Sequence, residues 1–207
     1  MVFSACIVVI ALSASAQITV GPNLPPGTTS YAYSVAQDPY SPAETAWTFG
    51  TSLAPISISY NPSAGVWQKQ LFGAGQLDTF QEVNMLEYIQ VGTGSTFTDW
   101  HQSITTPNFV WSNDADDSFF TINGGAQQFT GVSYSPDFTG LNITFPAGEP
   151  AGTVIMLHGE LEYIGGPTFD NNANALVVNQ YATIPEPSAL ALLGLGALGV
   201  LVSRRRK

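Results

Sequence analysis

The chain has 207 residues, with five Lys and Arg against fifteen Asp and Glu, a formal charge of -10. Only 10% of residues are charged, while 44% are hydrophobic and 12% aromatic. This excludes a nucleic-acid partner, whose phosphates require a basic footprint, and a disordered acidic tail, because there is ample apolar surface to bury.

The charge divides along the chain. Between residues 17 and 184, Lys69 is the sole base against fourteen acids, a net -13; residues 185–207 carry four bases and Glu186, a net +3.

Residues 2–12 form an eleven-residue, almost wholly apolar run, followed by Ser13-Ala14-Ser15-Ala16. A short apolar core before a small-x-small site is the pattern of a secretory signal peptide, expected over residues 1–16, with cleavage between Ala16 and Gln17. The run is too short for the roughly 20 residues a spanning helix needs. No basic residue precedes it, so the natural start is expected further upstream. A buried N-terminal strand is the competing reading. The single cysteine, Cys6, lies in this segment. Cleavage would therefore leave no thiol for a disulfide or a metal. Phe3-Ser4-Ala5-Cys6 faintly resembles a lipoprotein box, but the run stays apolar after Cys6 where a lipoprotein turns polar.

From residue 17 to 183 the sequence predicts one exported domain. Gly, Pro, Ser, Thr and Asn recur every 8–12 residues around short β-branched and aromatic runs, which reads as an all-β antiparallel β-sandwich, jelly-roll-like or Ig-like. Strands are expected over 30–35, 56–60, 66–72, 80–91, 97–104, 108–111, 119–122, 128–134, 141–145, 153–164 and 175–182. In one, Val83, Met85, Ile89 and Val91 share a face opposite Glu82, Asn84, Tyr88 and Gln90. In another, Ile155, Leu157, Leu161 and Tyr163 oppose Val154, Met156, His158, Glu160 and Glu162. One buried and one wet face is expected for each.

The candidate chemistry is sparse. On strands, Asp99 and His101 share a face, as do His158, Glu160 and Glu162. If the two strands were neighbours, these five could form an N/O metal site or an acid–base pair. Alternate polar residues are equally what any solvent-facing strand shows. No Gly-x-Ser-x-Gly elbow occurs. In Asn113-Asp114-Ala115-Asp116-Asp117-Ser118, the residues Asp114, Asp116 and Ser118 have the alternate spacing of a calcium loop. However, Phe119 stands where such a loop places glycine, and the closing Glu is missing. A solvated acidic turn is the simpler reading, and calcium is the one cofactor left open. Trp47, Trp67, Trp100 and Trp111 could stack on sugar rings, although core positions suit tryptophan better in a sandwich. Asn142-Ile143-Thr144 matches a glycosylation acceptor only at the level of three residues.

The C-terminal stretch is the most informative. Ile184-Pro185-Glu186-Pro187 cannot be helical and forms a stiff, extended joint. An apolar segment from Ser188, Ala189 and Leu190 to Val202 follows, then Ser203 and the basic cluster Arg204, Arg205, Arg206 and Lys207. Fifteen helical residues span about 22 Å, so crossing a hydrocarbon core of about 30 Å requires snorkelling flanks or a thinned bilayer. The basic cluster would lie on the cytoplasmic side, placing the body outside. Gly194-Leu195-Gly196-Ala197-Leu198-Gly199 spells a dinucleotide-binding turn without its βαβ context. These glycines fit a membrane helix better.

Pro185-Glu186-Pro187, the short apolar helix and the closing arginines together resemble the PEP-CTERM sorting signal, here residues 184–207. The resemblance implies an exported protein of an exopolysaccharide-making, Gram-negative-type bacterium. It further implies passage through the inner membrane, recognition by an exosortase, and a fate at the cell surface or in the extracellular matrix. The body also resembles exported PEP-CTERM proteins of unassigned activity. That likeness runs through Glu87-Tyr88-Ile89, Thr98-Asp99-Trp100-His101, Trp111, residues 140–146 and Glu162-Tyr163-Ile164-Gly165. Gln102 stands where such a stretch would carry an acid. The expected role is a non-catalytic surface or biofilm-matrix protein. A calcium-assisted carbohydrate-binding module is the alternative, and a hydrolase using Asp99, His101, His158 or Glu160 the third reading.

Overall fold

A computed structural model describes residues 18–20, 33–60, 66–114 and 116–183. The expected signal peptide with its Ala16–Gln17 cleavage point lies outside the described residues. So do the Pro185-Glu186-Pro187 motif, the apolar segment from Ser188 to Val202 and the basic tail. The described residues form strands and no helix: β1 (Ile18–Val20), β2 (Ser34–Gln37), β3 (Thr45–Phe49), β4 (Ile56–Tyr60), β5 (Trp67–Leu71), β6 (Gln76–Leu77), β7 (Glu82–Val91), β8 (Thr96–Ile104), β9 (Phe109–Trp111), β10 (Phe119–Ile122), β11 (Val132–Tyr134), β12 (Gly140–Pro150), β13 (Val154–Tyr163), β14 (Phe169–Asp170) and β15 (Leu176–Thr183).

The first sheet is built on the ten-residue antiparallel pair β7–β13, in register from Glu82↔Glu162 to Gln90↔Val154. The far edge of β7 is covered end to end by β3 and β4, and that of β13 by β9 and β10. The second sheet runs β11-β12-β8-β15-β5, antiparallel throughout, and β6 and β14 form a small ribbon.

A fully antiparallel sandwich is expected from the sequence, but β3 and β4 run parallel to β7. The reason is the connection: after β4 the chain crosses to β5 in the second sheet before returning as β7. Parallel neighbours need such a crossover, because a tight hairpin reverses direction.

The two sheets bury one continuous core. Trp47, Phe49, Ile58, Met85, Ile89, Trp111, Leu157 and Leu161 face it from the first sheet; Trp67, Leu71, Phe97, Trp100, Ile143, Leu176 and Val178 face it from the second. β15 alternates buried and half-buried along its whole length, the period-2 signature of a strand with one face on a core.

Several expected boundaries move for local reasons. Strand β7 starts at Glu82 because Phe80 has φ 66°, in the left-handed region that ends extended pairing. β12 extends past Phe145 to Pro150 through a register shift between Thr144 and Glu149. Gly148, at φ 71°, supplies the backbone this bulge requires. β3 was not expected; Ala46-Trp47-Thr48-Phe49 is too short between turn residues to announce itself.

Candidate functional site

The outer face of β7–β13 is expected to be wet, and it is not. Asn84, His158 and Glu160 are 0%, 2% and 6% exposed. Two connections fold over this face: residues 38–44, between β2 and β3, and the described residues 112–114 and 116–118 between β9 and β10. Apolar residues complete the cover. Leu86, Phe119 and Met156 form a second small core with Tyr88, and the Phe119 ring stacks on His158 at 4.7 Å.

Asp38 organises the first connection. Its Oδ1 accepts the Tyr40 N–H at 2.6 Å in an Asx turn, which points Oδ2 inward. There Oδ2 meets His158 Nε2 at 2.8 Å and accepts from Asn84 Nδ2 at 2.6 Å. Burial raises the Asp38 carboxyl, but the hydrogen bonds from His158, Tyr40 and Asn84 outweigh it, and the net displacement is downward. The second connection is closed by Asp117. Its carboxylate accepts the Asp114 N–H at 3.1 Å and contacts Ser112 Oγ, while its carbonyl oxygen lies 3.0 Å from His158 Nδ1.

Beside this frame, Glu44, Glu82 and Glu160 bring carboxylate oxygens within 4.8 Å of one another. Glu160 is pushed up to about 9, first by burial, then by a hydrogen bond with Glu82 and the charges of Asp117, Glu44 and Glu82. Glu44 is also raised, chiefly by burial, with the Asn84 hydrogen bond acting against the rise. Asn84 Nδ2 donates to Glu44 at 2.9 Å, and its buried Oδ1 has no partner. The set is all oxygen, the donor chemistry of calcium or magnesium. With no cation bound, a proton on Glu160 relieves the repulsion.

The residues expected to form one N/O site divide between two places. Asp99 and His101 do meet, Oδ1 to Nε2 at 2.9 Å, with Asn142 Oδ1 on the other ring nitrogen and Tyr181 stacked at 4.5 Å. Burial lowers His101, but its bonds to Asp99 and Asn142 more than reverse this, leaving it raised. His158 instead pairs with Asp38, and Glu160 with other carboxylates. Strand β8 pairs with β12 and β15, whereas β13 pairs with β7, β9 and β10. Each pair faces outward from its own sheet, so the core separates them and the five-residue constellation does not assemble.

In the proposed calcium loop, Asp114 and Asp116 are exposed and Ser118 is buried. The carboxylate that structures this loop is Asp117. Trp47, Trp67, Trp100 and Trp111 are all at most 4% exposed. None offers a face to a sugar, and each is a core residue.

A third polar group lies inside the core. Lys69 of β5 and Glu87 of β7 are both 0% exposed and make an ion pair between the two sheets. Glu87 Oε2 accepts from Gln102 Nε2 at 2.9 Å and Gln180 Nε2 at 2.6 Å. Lys69 Nζ lies over Phe49 at 4.1 Å and over Trp67 at 3.9 Å. Alternation carried the signal: Trp67, Lys69 and Leu71 share one strand face, and Val83, Met85, Glu87 and Ile89 share another.

Residues 183–207 match the family model of the PEP-CTERM protein-sorting motif. Comparison with curated proteins and with solved structures finds no match. The motif marks the chain as an exported protein that is held at the membrane and handed to an exosortase.

Proposed function

We propose that this PEP-CTERM protein is a non-catalytic component of the cell surface or extracellular matrix, with the β-sandwich as its exported body. The sorting motif at 183–207 carries this reading. In it, Ser188–Val202 holds the chain in the inner membrane, Arg204, Arg205, Arg206 and Lys207 stay on the cytoplasmic side, and processing occurs near Pro185-Glu186-Pro187. The dispersal of the histidines and acids over two outer faces supports a binding or structural body over a hydrolase. Exopolysaccharide is the partner that such a destination offers.

The test is a passenger protein fused to residues 184–207, with Pro185-Glu186-Pro187 intact or replaced by alanines, in a host that has an exosortase. Processing of the intact fusion alone is expected; identical processing of both overturns the sorting half. A second reading, calcium-assisted carbohydrate binding, draws on the Glu44–Glu82–Glu160 cluster. It must use contacts other than the four buried tryptophans. A glycan array on the full chain, with and without chelator, tests it, and silence in both arms removes it.

A further inference from the structure

We propose that Lys69 and Glu87 condense to an intramolecular amide that joins the two sheets covalently. Lys69 is the single base between residues 17 and 184, and it is placed where a solvated ammonium cannot exist. Its Nζ touches Glu87 Oε1, both side chains are fully buried, and beyond that contact Nζ has no hydrogen-bond partner. Phe49 and Trp67 enclose the amine. Keeping two unlike charges in so apolar a pocket is costly even when they are paired. Transfer of one proton from the ammonium to the carboxylate gives a neutral amine against a neutral acid, and burial drives the Lys69 amine well below its ordinary range. A neutral, desolvated amine is a nucleophile.

The two carboxyl oxygens of Glu87 are differently held, in the way the reaction needs. Oε2 accepts from the side-chain amides of Gln102 and Gln180. Two fixed donors stabilise the negative charge that develops on this oxygen when the carbon is attacked. Oε1, the oxygen against the amine, accepts no hydrogen bond and is free to leave. In the step, Nζ attacks Cδ and the Nζ–Cδ bond forms. The Cδ–Oε1 bond breaks, and Oε1 departs as water with its own proton and one from Nζ. No electrons change hands and no co-reactant is required. The product is a neutral amide whose carbonyl oxygen keeps both glutamine donors. This inference stands apart from the proposed function, since it uses none of the outer-face residues.

The test is peptide mapping of the full exported chain, unfolded in denaturant and digested with chymotrypsin. Cleavage after Trp67, Leu71, Leu86 and Tyr88 isolates Gln68-Lys69-Gln70-Leu71 and Glu87-Tyr88. The expected product is one branched peptide, lighter than the two together by one water, whose fragment ions place the link at Lys69 and Glu87. Trypsin is expected to leave the Lys69–Gln70 bond uncut in the unfolded chain. Recovery of the two linear peptides, with tryptic cleavage after Lys69, overturns the proposal. Lys69→Met supplies the linear Glu87 peptide as a reference whether or not that variant folds.

Discussion

Asn84 and Glu160 are directly opposed across the β7–β13 ladder, and both are buried beneath loops that carry further acids. The pair marks where the outer face of the first sheet changes from a solvated surface into a second interior. It also sets the sign of the pH response. Glu160 keeps its proton to about 9 in the folded chain, against an unfolded value near 4.5. Between those values the folded state holds more protons at this site, so the part of the stability that depends on Glu160 is greatest below about 4.5 and declines as pH rises toward 9.

Glu160→Gln removes that titration while keeping size and hydrogen bonding. The variant is expected to melt a few degrees above the parent at pH 8, because it folds without taking up the proton that Glu160 must bind there; roughly 1–2 kcal/mol at about 2–4 °C per kcal/mol sets the scale. The difference should shrink at pH 4. Calcium should raise the melting temperature of the parent more than that of the variant. Thermal scans at both pH values, with and without calcium, check all three outcomes.

Asp38→Ala leaves four partners behind: the Tyr40 and Ser41 N–H groups, Asn84 Nδ2 and His158 Nε2. Stranded buried donors cost more than the hydrogen bonds they once made, and a loss of about 2–4 kcal/mol in urea unfolding is expected. The Asp38 carboxyl is lowered on folding, so its contribution is present above about 3.8 and disappears as pH falls through the folded value. Parent and variant should therefore converge in strong acid.

His101 responds in the opposite direction to Asp38 and in the same direction as Glu160. Its folded value lies above 6.5, so the stability it contributes is full below 6.5 and is lost as pH rises through the folded value. Asn142→Ala removes one of the two acceptors on its ring and should move the titration back toward 6.5. The ring protons in a proton-NMR titration report this; an unchanged midpoint would assign the elevation to Asp99 alone.

Gly159 sits on the inner face of β13. A Cβ there would come within 2.7 Å of Trp111 Cζ3 and 3.3 Å of Leu141 Cδ2. Gly159→Ala should destabilise by about 1–3 kcal/mol through overpacking, with an unchanged denaturant m-value because the same surface is exposed on unfolding.

Alternation and turn residues made most strands legible, and 56–60 and 119–122 coincide with β4 and β10. What could not be read was which outer faces are covered. His158 and Glu160 occupy the alternate positions of a wet strand, and nothing in β13 itself reveals that residues 38–44, 112–114 and 116–118 fold over them. The core pair was readable in principle, since Lys69 interrupts the inward face of Trp67 and Leu71. Its meaning depended on Glu87, one sheet away and eighteen residues on. Pairing Asp99 with His101 needed only i, i+2 spacing; pairing His158 with Asp38 needed contact between residues 120 apart in the chain.

The position of β15 imposes an order of events. It is the last described strand, and it lies inside the second sheet between β8 and β5 rather than at an edge. Without residues 176–183, β5 has no partner in that sheet, and Glu87 lacks the donor from Gln180. The second sheet is thus complete only when the last described strand is in place. The strand that completes it ends at Thr183, where the match to the sorting motif begins. The residues that close the sandwich therefore run directly into those that match the sorting motif.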